Sequence, residues 1–321
     1  MYHGCLRISN SSSLSNRTAP VLIPMKASIF KLKGRLRDYL CLCAFVAASF
    51  QASLLVAQDT ISSPELVTIP AGGFLSGSSR QERDKAYSLD EAAYGHSVTR
   101  TQRWYESEHE LQTRSLPQYS IMKTPVTRCE YAQFLSSTDH PSPQIDQAAW
   151  DAQRLKHSYK STLKFQWRRG EQNNLERCQH PVVLVSHKDA IAYASWLSAN
   201  SGQIWRLPNE FEWEKAARGV DANLFPWGNR YDPSKLNSHD SGPFDTLPIG
   251  TFSAGVSPYG MLDAAGQVFE WTSTGDTQGR RFIVKGGSWD DKGCGVCRPA
   301  ARHYRPEGLK HILVGFRLVT D

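Results

Sequence analysis

The chain has 321 residues, with 37 Lys and Arg against 31 Asp and Glu and a formal net charge of +6. The excess is local. Arg7, Arg17, Lys26, Lys31, Lys33, Arg35 and Arg37 face one acid, Asp38, within the first 57 residues, and 30 basic and 30 acidic residues remain beyond them. A body of balanced charge removes the usual electrostatic argument for a nucleic-acid partner, and none is expected. Nine Trp with 23 Gly and 17 Pro argue against disorder and describe a loop-rich, aromatic-cored globule.

In chain order, the Ser-rich residues before Met25 read as an upstream extension, with Met25 as the working start. A basic stretch from Lys26 to Arg37, an apolar run from Tyr39 to Phe50 and a small residue at Ala57 follow the layout of a secretory signal peptide. The reading is residues 1–57 as leader and 58–321 as one domain of an exported protein, periplasmic or secreted. Membrane contact is expected only through the leader. The alternative is an uncleaved anchor, since Tyr39 to Ala57 nearly reaches the length of a bilayer span. Outside the leader remain Cys129, Cys178, Cys294 and Cys297, which allow three disulfide pairings in an oxidising compartment.

Strand-like runs such as Leu66–Pro70 and Ile283–Lys285 alternate with turn-rich stretches. Two helices announce themselves. Ser186 with Asp189 forms a capping box ahead of Ala190, Tyr193, Ala194 and Leu197, and Gly202 ends the segment. Asn209 with Glu212 opens the second, which buries Trp213, Ala216 and Ala217 and stops at Gly219. Between them Ile204–Leu207 reads as a short strand, whereas residues 140–179 are polar, aromatic and without a clear period. The sum is an α+β domain with little regular structure.

Several blocks, in order, resemble the formylglycine-generating enzyme (sulfatase-modifying factor) family. They are Ile69–Phe74, Thr124–Thr127 with Tyr131 and Phe134, His180–Val183, Arg206–Glu210 with Glu212–Glu214 and Ala216–Gly219, Phe225–Gly228, Tyr259–Gly266 with Glu270–Ser273, Lys285–Trp289 and Gly315–Leu318. The resemblance implies the formylglycine-generating-enzyme fold, a C-type-lectin-like variant, with bound calcium. It implies a calcium loop in which Asp263 and Glu270 supply carboxylates and Gly266 and Val268 supply carbonyls, and a second site beginning at Asn237 with Asp240 or Asp245 as its acid.

In the family's oxidases two cysteines bind copper(I) and convert a substrate cysteine to formylglycine with molecular oxygen, and soft thiolates suit that ion. The resemblance assigns this role to Cys294 and Cys297, with Ser288 organising the oxygen pocket and a sulfatase-type protein or peptide as substrate. The chain departs from the pattern: Asp291 stands where the first cysteine is expected, and two residues rather than four separate the pair. A relocated copper or redox pair, a local disulfide and an inert pair all remain open. With them stand two alternatives to the oxidase: a non-catalytic binding or regulatory protein of the cell envelope, and a non-haem iron enzyme using His187 and Asp189 with His303 or His311. Arg298, Arg302 and Arg305 read either as a site for an acidic substrate or, by default, as a solvated face.

Overall fold

The first extended segment, β1 (Leu66–Ile69), leads through Pro70 and Ala71 into β2 (Gly72–Ser76). The computed structural model describes residues 63–167 and 175–321, which belong to the unit Thr60–Asp321. The expected leader, its cleavage point and the start at Met25 lie outside the described residues. Helix α1 (Arg80–Tyr94) follows, opened by a Ser79–Glu82 capping box and closed by Gly95 at φ 73°. This helix is not among the two that the sequence announces. A single turn, α2 (Val98–Thr101), leads to β3 (Gln112–Leu116) and β4 (Tyr119–Met122).

Thr127 and Glu130 form another capping box at the start of α3 (Arg128–Ser136). The hard-to-read stretch carries two short helices, α4 (Gln147–Ala152) and α5 (Tyr159–Thr162). Helix α6 (His187–Ser201) and helix α7 (Glu210–Arg218) stand where their boxes place them, with β5 (Trp205–Arg206) between. The C-terminal third supplies β6 (Phe269–Gly275), β7 (Arg281–Lys285), β8 (His303–Pro306), β9 (Val314–Gly315) and β10 (Val319–Thr320).

These strands make an antiparallel sheet in the order β1-β4-β10-β5, a β2-β3 ribbon, and a sheet in the order β8-β7-β6-β9. In the first, Leu66 lies opposite Met122, and Val319 lies opposite both Ile121 and Arg206. In the last, Glu270 lies opposite Lys285, Val284 opposite His303, and β9 joins β6 in parallel. Buried aromatic residues fill the spaces between elements: Tyr131, Tyr193, Trp271 and Phe316 in the largest cluster, Trp213 with Ile121 and Val319 in a second, and Trp150, Phe165 and Trp289 in a third. Trp213 and Trp271 are fully buried, whereas Trp227 only packs against the edge of the core. The buried indole N–H of Trp271 donates to the Val185 carbonyl at 3.0 Å and that of Trp213 donates to Glu270 at 2.7 Å. Cys129 is bonded to Cys178, which ties the start of α3 to the segment before His180. Among the described residues no helix is long and apolar enough to cross a membrane.

Candidate functional site

Gly286-Gly287 follow strand β7, and both glycines have left-handed backbones, at φ 96° and 72°. A side chain at Gly287 would stand 2.5 Å from the Cys297 sulfur, so only glycine fits there. The turn that follows is held by one carboxylate. Ser288 donates its backbone N–H and its hydroxyl to Asp291 Oδ2, at 2.8 and 2.7 Å. Burial pushes the Asp291 carboxyl up to about 6. Cys294 then takes a left-handed conformation, residues Gly295–Cys297 form a single 3-10 turn, and the Cys297 N–H donates to the Cys294 carbonyl.

Both cysteines are fully buried and bonded to each other. This is the bonded arrangement that the local-disulfide reading expects. Elements far away in sequence cover it. Asp90 of α1 accepts the Gly295 N–H at 3.0 Å with one oxygen and the Tyr105 hydroxyl with the other. A side chain at Gly293 would meet the Leu89 carbonyl at 2.5 Å, and one at Gly295 would meet the Tyr105 hydroxyl at 2.6 Å. Arg298 donates to the Gly295 carbonyl and forms a buried ion pair with Glu108. Asp90, Tyr105 and Glu108 were not singled out in the sequence; the Ser79–Glu82 capping box was the signal that could have revealed the covering helix.

With the pair bonded, the expected copper(I) ligands are not present as thiolates. Copper(I) needs thiolates, and all four cysteines among the described residues are paired as disulfides. Ser288 lies in the same turn, but its hydroxyl is committed to Asp291 rather than open to an oxygen pocket. Arg298 and Arg302 correct the expectation of a solvated face, for Arg298 is buried against Glu108 and Arg302 pairs with Glu210 at 2.8 Å. Arg305 forms no ion pair among the described residues.

The calcium loop also differs from its expected form. Glu270 is fully buried, and its two oxygens accept from Arg317 Nε and Nη2 at 2.6 and 2.7 Å and from the Trp213 indole. Arg317 completes its donors on the carbonyls of Met122, Lys123 and Leu262. Asp263, in a left-handed conformation, accepts the Gly250 N–H at 2.7 Å, and burial pushes its carboxyl up to about 6. Gly266 is required by close approach, since a side chain there would lie 2.2 Å from the Asn237 carbonyl, and Val268 is core. Asn237 donates to the Asp245 carbonyl and to Gln267, leaving its buried Oδ1 without a partner. Asp240 accepts from Tyr231 and Gly293, and Asp245 pairs with Arg177 and Lys164. Calcium takes six to eight oxygens. Here one carboxylate is committed to a guanidinium, and among the described residues no three His, Cys, Asp or Glu side chains converge on a metal position.

The iron set does not assemble either. His187 contacts the Thr272 carbonyl at 3.0 Å and stacks on Phe282, while Asp189 caps α6 and pairs with His140 and Lys310. His303 sits against Phe269, and His311 stacks on Trp150. Burial lowers both imidazoles to about 3.

The family model described as "Sulfatase-modifying factor enzyme 1-like domain" matches residues 51–321. The chain belongs to that family. It is 26% identical to a formylglycine-generating enzyme of Mycobacterium tuberculosis, over 80% of this chain and 98% of that protein. It is also 26% identical to a hercynine oxygenase of Mycolicibacterium smegmatis, over 79% of this chain but 61% of the relative's length. Among solved structures, PvdO from Pseudomonas aeruginosa superposes with a TM-score of 0.57 at 21% identity, covering 80% of this chain and 94% of that one. That likeness concerns the fold. The sulfatase-modifying-factor-like domain of this chain is thus a mixed helix and sheet structure with its Cys-x-x-Cys closed and covered.

Proposed function

We propose that this sulfatase-modifying-factor-like protein is an exported binding or regulatory member of its family, acting on a protein or peptide partner without converting cysteine to formylglycine. One observation carries the reading: the disulfide between Cys294 and Cys297 is sealed beneath α1, and Asp291 holds Ser288 from the place where the family's oxidases are expected to have their first cysteine. A substrate thiol needs access to a free thiolate, and a buried disulfide offers none. The two disulfides suit an oxidising compartment, which supports export. The C-type-lectin-like relation of the fold belongs to the same proposal.

A copper-dependent oxidase acting on a sulfatase-type cysteine is the second reading. The observation favouring it is that Ser288, Cys294 and Cys297 share one buried turn, and relatives bearing the names formylglycine-generating enzyme and hercynine oxygenase support oxygen chemistry. One experiment separates the two. The chain, reduced and as isolated, is incubated with copper(I), oxygen and a sulfatase-motif peptide and followed by mass spectrometry. The binding reading expects no peptide oxidation in either state. Formylglycine formed by the reduced protein and lost in Cys297→Ser would replace it with the oxidase.

A further inference from the structure

A cavity of about 1010 Å³ opens between the α4–α5 segment and the chain that follows β8. Its walls are mixed: Ile145, Ala149, Leu155, Tyr159 and Leu309 supply apolar surface, and Gln144, Gln153, Gln166, Asp146, Lys310 and Arg305 supply polar groups. The volume is that of a site for a small molecule or a few peptide residues.

The charges in this cavity are unequal in one respect. Asp146 accepts the Ala149 N–H at 2.8 Å, and Lys310 pairs with Asp189 at 3.1 Å. Arg305 has no such partner among the described residues: its one hydrogen bond runs from Nη1 to the neighbouring Tyr304 carbonyl at 3.0 Å. The other arginines of the segment show what a structural guanidinium does here. Arg298 is closed on Glu108, and Arg302 donates from Nε and Nη2 to Glu210. Burial lowers the Arg305 pKa, and Asp291, the nearby charge that opposes this, is outside ion-pairing distance. Holding a half-buried guanidinium without a counter-charge costs stability. Its planar fork is suited to a carboxylate.

The geometry assigns this cavity as a binding site for a carboxylate attached to an apolar body, the carboxylate on Arg305 and the body against Tyr159 and Leu155. No residue of the cysteine turn lines the cavity, and Asp291 acts on Arg305 only from beyond ion-pairing distance. A free small acid and the C-terminus of a peptide share this chemistry.

Calorimetric titration of the full chain with four probes tests it: N-acetylphenylalanine, its amide, tetra-alanyl-phenylalanine, and that peptide as its C-terminal amide. A charge-assisted pair contributes about 1.5–3 kcal/mol, so at least one acid should bind ten- to a hundredfold more tightly than its amide. Arg305→Met should abolish that ratio, and Arg305→Lys should keep part of it. Because Arg305 satisfies no internal carboxylate, Arg305→Met should melt at or above the wild-type temperature. Binding of both acids marks a small-acid site, and binding of the peptide acid alone marks a peptide C-terminus; either upholds the carboxylate. Equal binding of acid and amide, absence of binding by either acid up to roughly 1 mM, or a destabilised Arg305→Met that retains the ratio would overturn it.

Discussion

Replacing Glu270 with Gln removes the ion-pair partner that Arg317 has among the described residues, and both side chains are fully buried. Arg317 uses its five donor contacts to join β6, the end of β4 at Met122 and Lys123, and the Leu262 loop. Glutamine preserves the shape but not the charge, and its amide cannot accept from both Nε and Nη2 as the carboxylate does. Breaking a buried pair by removing one partner costs about 3–5 kcal/mol. Set against a total stability of roughly 5–15 kcal/mol, the loss should lower the melting temperature by roughly 10 °C, at about 2–4 °C per kcal/mol for a large domain. Urea unfolding of wild type, Glu270→Gln, Arg317→Met and the double variant should show the double variant less impaired than the sum, because it leaves no orphan charge. EDTA should move the wild-type melting temperature by less than about 1 °C, since a carboxylate held by Arg317 gives a cation little to bind. A loss below about 1 kcal/mol in Glu270→Gln would refute the clamp. A fall with EDTA that disappears in Asp263→Ala would restore the calcium loop.

The Asp291 carboxyl, at about 6 in the fold against an ordinary 3.8, binds its proton more tightly when folded, so its contribution is complete below pH 3.8 and lost as pH rises through 6. Asp291→Asn should flatten that slope, gaining about 2 kcal/mol relative to wild type between pH 4 and pH 7; parallel pH profiles in urea unfolding would contradict it. The two disulfides should differ in the opposite sense to their burial. The bond closing 49 residues between Cys129 and Cys178 should contribute about 4 kcal/mol and the one spanning 3 residues between Cys294 and Cys297 about 1.6 kcal/mol. Melting curves of the two double-alanine variants, compared side by side, check the order.

What was legible in the sequence is local. Ser186 with Asp189 and Asn209 with Glu212 gave the starts of α6 and α7 because a capping box and its apolar face fit within one turn or two. Helix α1 carries the same signal at Ser79 and Glu82, yet its inward face includes Arg83 and Asp90. Those polar groups are buried only because Glu110, Tyr105 and Gly295 meet them, partners that periodicity does not reveal. Glu270 shows the same limit at the candidate site: within its own loop it looks like a cation ligand, and Arg317, 47 residues later, decides otherwise. The cysteine turn was readable as a set of alternatives, and the cover that selects among them comes from residues about 200 positions upstream, as with Asp90 and Gly295 at a separation of 205.

Strand β10 lies between β4 and β5, so residues 319–320 bridge segments made long before them. During synthesis β4 can hold β1 on one edge, but its other edge stays open, and β5 has no partner in that sheet. Contacts of this sequence separation form slowly, and an open strand edge is a template for pairing with another chain. Pairing of β10 with β4 and β5 therefore closes both of these edges against self-association. Folding should be assisted by whatever keeps the chain extended until that strand is available.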